Sequence, residues 1–470
     1  MLNFTATYTD QYQLTMAQVY FLKGKNNHDA IFDYFFRKLP LHNGYAVFAG
    51  LEDFLNILET LRFDSDDIEF LKQHHFHPDF IDFLKGFRFK GTVYAALEGD
   101  LVFPTRPVVS VEANLIEAQI IETLLLNVLN FQTLIATKAS RIRQVAGNRQ
   151  LVDFGLRRAQ AVGGYYASRA AIIGGFNATS NVRAGRDYQI PVSGTMSHSF
   201  IQSYDNELDA FRDFATIWPE ESVFLVDTYD TLKVGVPNAI KVGKEMEKRG
   251  HRLMGIRLDS GDLAELAKKS RQMLDDAGLH YVKIAASNQL DEFAIQDLLK
   301  KNAPIDLFGV GTSLVIGRPD AALDGVYKLA YSNGKPRIKL SETTDKITLP
   351  CKKQVYRLLD EHNRFAGMDL VALKDEEAFN KMHHPFEPEQ SWHIRQYKLE
   401  PVLNKVFANG ERTVKPKSLS EIQQYCQERL SLLPEEYKRL EDSEVYKVGL
   451  SEGLHHIRQK LIEEHLEKKA

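Results

Sequence analysis

The residues best suited to chemistry stand at the ends of short apolar runs. His198 follows IPVSGTMS: residues Ile190 to Ser193 predict a strand, and Gly194, Thr195 and Ser197 give it a small, polar exit that leaves an imidazole free for nucleophilic or acid–base work. Asp227 ends VFLVD, Asp259 ends LMGIRLD, Asn288 follows YVKIAAS, and IDLFGVG runs into Gly311 and Thr312. Upstream, LVDFG carries Phe154 and leads to Leu156 and Arg157, and IIGGF is followed by the polar stretch Asn177 to Asn181. Arg157 and Arg158 offer planar forks to phosphate or carboxylate. The small residues of GVGTS let backbone N–H groups approach an anion, although glycine in a tight strand exit also has a purely conformational use. Asp259 reads equally as an acceptor for sugar hydroxyls or hydrated magnesium, or, with Ser260, as the cap of the next helix.

The elements that must position these groups follow from the spacing. Asp227, Asp259, Asn288 and Gly311 are separated by 32, 29 and 23 residues, each interval long enough for one βα unit. Between Leu263 and Ala277 the apolar residues keep helical spacing, with Asp262 and Glu265 as an N-terminal capping pair and Gly278 as the stop. Seven such units predict an irregular α/β barrel or a doubly wound sheet; either way the strand C-terminal ends share one face, so Arg157, His198, Asp227, Asp259, Asn288 and GVGTS can converge. The barrel is expected over residues 136–345, after a β-rich α+β domain over 1–135 and before a C-terminal extension over 346–470. In the N-terminal part, a helix begun at Thr9 or Asp10 places Tyr12 in its first turn. A strand from Ala30 to Phe36 delivers Arg37 and Lys38, which read equally as anion contacts or as a solvated strand end.

Composition narrows the function classes. With 470 residues, 44% hydrophobic and 26% charged, the chain suits a large barrel with accessory domains, and a net charge of −4 gives no general drive toward nucleic acid or anionic membrane. Two cysteines form neither a disulfide framework nor a zinc site, which suits a reducing compartment. His74, His75 and His77 lack partners at ligand spacing and read as a surface cluster. No signal sequence precedes the first helix, and the apolar stretch from Asn114 to Ala136 is broken by Glu117, Gln119 and Glu122, so a cytoplasmic protein without membrane spans is expected. A barrel aldolase or isomerase of Schiff-base type wants a Lys at an inner strand exit, and none of these exits supplies one. A non-catalytic binding barrel would not need His198 and Asp227 together.

Eight motifs together carry a family likeness. TDQYQLTM, FFRKLP, VDFGLRRAQ, GFNATSNV, SGTMSHSF, VDTYDT, RLDSGDL and GVGTSLV follow the order and about the spacing of the nicotinate phosphoribosyltransferase family, from near the N-terminus to about residue 360. The chain resembles that family, and nicotinamide phosphoribosyltransferase shares its architecture. The resemblance implies ATP-coupled transfer between nicotinate and phosphoribosyl pyrophosphate, with Mg2+, in a cytoplasmic homodimer with shared active sites. It implies His198 as the residue phosphorylated by ATP and Asp227 as the carboxylate that orients it. Phe154 and Tyr12 would sandwich the pyridine, Tyr12 from the partner subunit; Arg37 and Arg157 would meet phosphates; Asp259 would meet the ribose hydroxyls. Ser180 and Arg257 would contact substrate, and the backbone at Gly311 and Thr312 would hold the 5′-phosphate. Lys339, Lys346, Lys352 and Lys353 either reach pyrophosphate or ATP or form a solvated basic hairpin. Cys351 stands where the family pattern has a glycine before the Lys pair.

Overall fold

The computed structural model describes residues 4–341, 346–387 and 389–467. The expected boundary between catalytic domain and extension falls at residues 342–345, outside the described residues. Two compact units divide the chain, residues 1–137 with 322–470, and residues 138–321.

In the first unit, the strand Asp29–Phe36 pairs antiparallel with Val109–Asn114 on one side and Gly325–Ser332 on the other. Thr92–Ala95 continues this seven-stranded sheet, and Asn404–Ala408 pairs with it in turn, so segments from both ends of the chain share one sheet. A second, six-stranded sheet includes Lys353–Leu359, Phe365–Leu373 and Lys447–Ser451, with Leu358, Leu370 and Met382 in its core. A buried ion cluster joins Arg357 and Asp369 of this second sheet to Asp100 and Arg106. Arg357 meets Asp100 at 2.7 Å, Arg106 meets Asp369 at 2.7 Å, and Arg429 joins Asp100 to Glu400. Removing one partner from such a cluster leaves an uncompensated charge, which typically costs about 3–5 kcal/mol. The helix Gln11–Leu22 starts after Asp10 as the sequence predicts.

The Lys-rich segment departs from both of its expected readings at Lys352 and Lys353. Lys353 is buried against Asp33 at 2.8 Å and donates to the carbonyls of Leu349 and Pro350, while Lys352 pairs with Glu112 at 2.5 Å. Lys353 is wholly buried, and Lys352, though partly exposed, is paired. Cys351 sits at φ +70°, the left-handed backbone that glycine adopts freely, so the loop keeps the shape that a glycine would favour.

The second unit holds the βα repeats. Its strands are β1 (Gln150–Asp153), β2 (Ala178–Thr179), β3 (Val223–Leu225), β4 (Gly255–Leu258), β5 (Lys283–Ala286) and β6 (Leu307–Val310), parallel throughout in the order β2-β1-β6-β5-β4-β3. Alternation along the strands gives each face its role. Ile256, Leu258, Ile284, Phe308 and Val310 are wholly buried, each worth about 1.5–3 kcal/mol when removed from water. The helices Leu263–Asp276 and Glu292–Lys300 bury Ala267, Leu274, Ile295 and Leu298. Asp262 caps the first of these helices by accepting from the backbone N–H groups of Ala264 and Glu265, and Gly278 follows it at φ +70°.

Two of the expected strands differ. IIGGF is no strand: Ile172 and Ile173 continue the helix Val162–Ile173, which is buried from Gly164 onward until Gly174 and Gly175 stop it. The strand comes later, at Ala178–Thr179. IPVSG makes a single parallel bridge between Val192 and Thr179 because Pro191 has no N–H to extend a ladder. The ladders therefore describe a mixed α/β fold with a parallel arc, and no closed barrel is found among the described residues. Nor is any described helix long and apolar enough to cross a membrane.

Candidate active site

All six parallel strands deliver their C-terminal ends to one edge, where the polar exits gather. His198 opens the short helix His198–Gln202, its side chain 40% exposed. Nδ1 lies 3.1 Å from Thr228 Oγ1, and Nε2 faces two carboxylate oxygens, Asp227 Oδ1 at 3.9 Å and Asp259 Oδ2 at 3.8 Å. Two acceptor-only groups opposite Nε2 favour a proton there and leave the lone pair on Nδ1, accepting from the Thr228 hydroxyl. Asp227 thus stands beside the ring without a hydrogen bond to it. Its other oxygen, Oδ2, accepts from Asp259 N and Ser260 Oγ, both at 2.7 Å, which ties the exits of β3 and β4 together.

That tie answers the open question about Asp259. Asp262 caps the following helix instead, Ser260 donates to Asp227, and Asp259 accepts from the Ser287 hydroxyl at the exit of β5. Asp259 Oδ1 also lies 3.7 Å from Arg257 Nη2. Arg257 in turn donates through Nη1 to Thr195 Oγ1 at 2.6 Å and lies 5.8 Å from the centre of the Phe154 ring. Burial pulls its guanidinium below the ordinary range, which Asp259 and Asp227 oppose and Arg157 reinforces. Among the described residues its Nε is buried without a hydrogen-bond partner.

Beside this arginine the inner face of the sheet is hollow. The inward positions of β4, β5 and β6 include Gly255, Ala285 and Gly309, where a filled barrel would place bulky branched residues. A cavity of about 290 Å³ results, with Phe154, Thr195, Arg257 and Ala285 among its walls. Gly309 is needed for its aromatic wall, since a Cβ there would fall 2.4 Å from the Phe154 ring. An arginine and a phenyl face in one cavity suit a flat aromatic anion.

The remaining predicted residues distribute as follows. Arg157 is exposed in the turn Leu156–Arg158, Ser180 lies at the exit of β2, and Gly311 precedes the short helix Thr312–Val315, all in the second unit. Tyr12, 51% exposed, and Arg37 belong to the first unit. Sequence reasoning missed Thr228 and Ser287, and named Thr195 only as part of a polar exit. Thr228 directly follows Asp227 in VDTYDT, and a hydroxyl beside a candidate carboxylate was the available signal. Near residue 75, His77 accepts from Asp79 N and His74 Nδ1 meets the Phe70 carbonyl, and among the described residues no group of His, Cys, Asp and Glu could cage a metal.

Comparison with known proteins gives one consistent result. The model of the nicotinate phosphoribosyltransferase family matches residues 149–389, and those of its N-terminal and C-terminal domains match 7–130 and 352–458. Nicotinate phosphoribosyltransferase of Bacillus subtilis (strain 168) is 45% identical over 479 residues, covering 98% of this chain and 97% of that one. The Mus musculus protein of that name is 32% identical, covering 95% and 94%. The crystal structure of human nicotinic acid phosphoribosyltransferase superimposes with a TM-score of 0.88 at 31% identity, covering 96% of this chain and 99% of that chain.

Proposed function

We propose a reaction course from one premise: the chain belongs to the nicotinate phosphoribosyltransferase family. It joins nicotinate to 5-phosphoribosyl 1-pyrophosphate in NAD biosynthesis, forming nicotinate mononucleotide and pyrophosphate. ATP couples to this transfer through His198. The γ-phosphoryl group passes to Nδ1, an N–P bond forming as the bond to the ADP oxygen breaks, and the proton on Nε2 stays between Asp227 and Asp259 as the ring becomes cationic. The setting of His198, with Nε2 at 3.8 and 3.9 Å from two carboxylate oxygens, is the observation that carries this reading.

Arg257 and Phe154 receive the pyridine carboxylate and ring at the cavity's inner end, with Ser180 as a further contact. Arg157, Arg37, Gly311 and Thr312 meet phosphates, and Asp259 meets the ribose hydroxyls. Mg2+ fits as an ion held by one or two carboxylates and by substrate phosphates, since Asp227 Oδ1 is buried without a hydrogen-bond partner. When bound, it neutralises charge on the departing pyrophosphate. The parallel arc and the segment around Val192 both wall the cavity, which supports a barrel-like enclosure within residues 138–321. A cytoplasmic homodimer in which Tyr12 of one subunit completes the other's site accompanies this reading.

The test is release of pyrophosphate from phosphoribosyl pyrophosphate with nicotinate or nicotinamide, each with and without ATP. Nicotinate with ATP is expected to be fastest. Turnover with nicotinamide alone would transfer the reading to the nicotinamide enzyme, and turnover with neither would end it.

A further inference from the structure

We propose that Asp153 is a positioning residue of the pyridine subsite, its buried carboxylate fixing the two turns that carry Phe154 and Ser180. Asp153 ends β1 and is wholly buried. Its Oδ1 accepts from Gly155 N at 2.8 Å, closing the turn on whose crest Phe154 stands. Its Oδ2 accepts from Ser168 Oγ and Thr179 Oγ1, both at 2.8 Å, and its backbone carbonyl accepts from Ser180 N at 2.8 Å. The hydroxyls are themselves held. Thr179 Oγ1 accepts from Asn181 N at 3.0 Å, and Asn181 Nδ2 reaches Ser168 Oγ at 3.2 Å.

A carboxylate is a costly choice for this position. Burial pushes its carboxyl group above the ordinary range, and three neutral donors oppose that shift. What it supplies is two acceptor oxygens pointing to two different turns, which neither Asn nor Ser can offer. One oxygen sets Gly155, and so the Phe154 ring against Gly309; the other sets Thr179, and so Ser180 and Asn181. The ring-stacking and polar walls of one subsite are thereby referred to a single anchor. A misplacement of about 1 Å in such a wall can cost roughly a hundredfold.

The inference rests on nicotinate stacking against Phe154. Asp153→Asn is expected to raise the KM for nicotinate roughly ten- to a hundredfold, while the KM for phosphoribosyl pyrophosphate and the rate of labelling of His198 by ATP stay within about twofold. Thr179→Val, similar in shape but without the hydroxyl, should move the nicotinate KM the same way, and Thr179→Ser should restore it. If Asp153→Asn does not fold, the Thr179 pair decides. Parallel losses for both substrates, or an unmoved nicotinate KM in the folded variants, overturn the assignment. Failure of the wild-type chain to use either pyridine would instead overturn the proposed function.

Discussion

At the scale of the residue, the tautomer of His198 decides what can be observed. Incubation with γ-labelled ATP and Mg2+ should place an acid-labile, base-stable label on this side chain, because a phosphoramidate leaves readily once its nitrogen is protonated. His198→Asn is expected to abolish the label and ATP stimulation while leaving thermal unfolding unchanged; label persisting there would move the chemistry to Ser197 or Ser199. Thr228→Val removes the hydroxyl 3.1 Å from Nδ1 and should alter the labelling rate without abolishing it. Arg257 is a stronger candidate than Arg157 for selecting the acid over the amide, since it lines the cavity with Phe154 and keeps a buried Nε without a partner, whereas Arg157 is exposed. A charge-assisted contact is worth about 1.5–3 kcal/mol, or roughly ten- to a hundredfold in discrimination. Arg257→Gln should therefore lower kcat/KM for nicotinate by that factor relative to nicotinamide, and Arg157→Gln should not. Equal relative losses in Arg257→Gln would remove it from ring selection.

At the scale of the element, what the sequence revealed depended on how local the controlling physics was. The strand Gly255–Leu258 and the helix Leu263–Asp276 were legible because periodicity, Asp262 and Gly278 all act within a few residues. The end of the helix Val162–Ile173 was not, because a short apolar run such as IIGGF suits a buried helix end as well as a strand. Lys353 likewise looked solvated only because its partner, Asp33, lies 320 positions away in the sequence. The site's polar exits were read from strand endings, but the hollow between them was not, since it takes small residues contributed by three separate strands. Ala285→Leu tests that hollow directly. The added bulk should raise the KM for nicotinate more than tenfold while His198 still takes label from ATP, because His198, Asp227 and Asp259 are not among the residues that wall the cavity. An unchanged nicotinate KM would place the pyridine elsewhere.

At the scale of the whole molecule, a shared active site makes a prediction of its own. Chains inactivated by Tyr12→Ala and chains inactivated by His198→Ala should regain activity when mixed and allowed to exchange subunits, because some heterodimers then hold one intact site. Activity no higher than the sum of the two separate mutants, with exchange verified, would count against the shared site. A different consequence follows from the sheet that Asn404–Ala408 joins beside Thr92–Ala95. On the ribosome, residues 138–321 are complete as a contiguous unit and can fold as they emerge, whereas the opening segment must wait for partner strands made about 300 residues later. During that interval the edges of Thr92–Ala95 and Asp29–Phe36 lack the neighbours they later acquire, and unpaired edges are templates for aggregation. Synthesis that stalls between residues 322 and 404 should thus yield a protease-resistant core from the middle of the chain attached to a beginning that depends on chaperones.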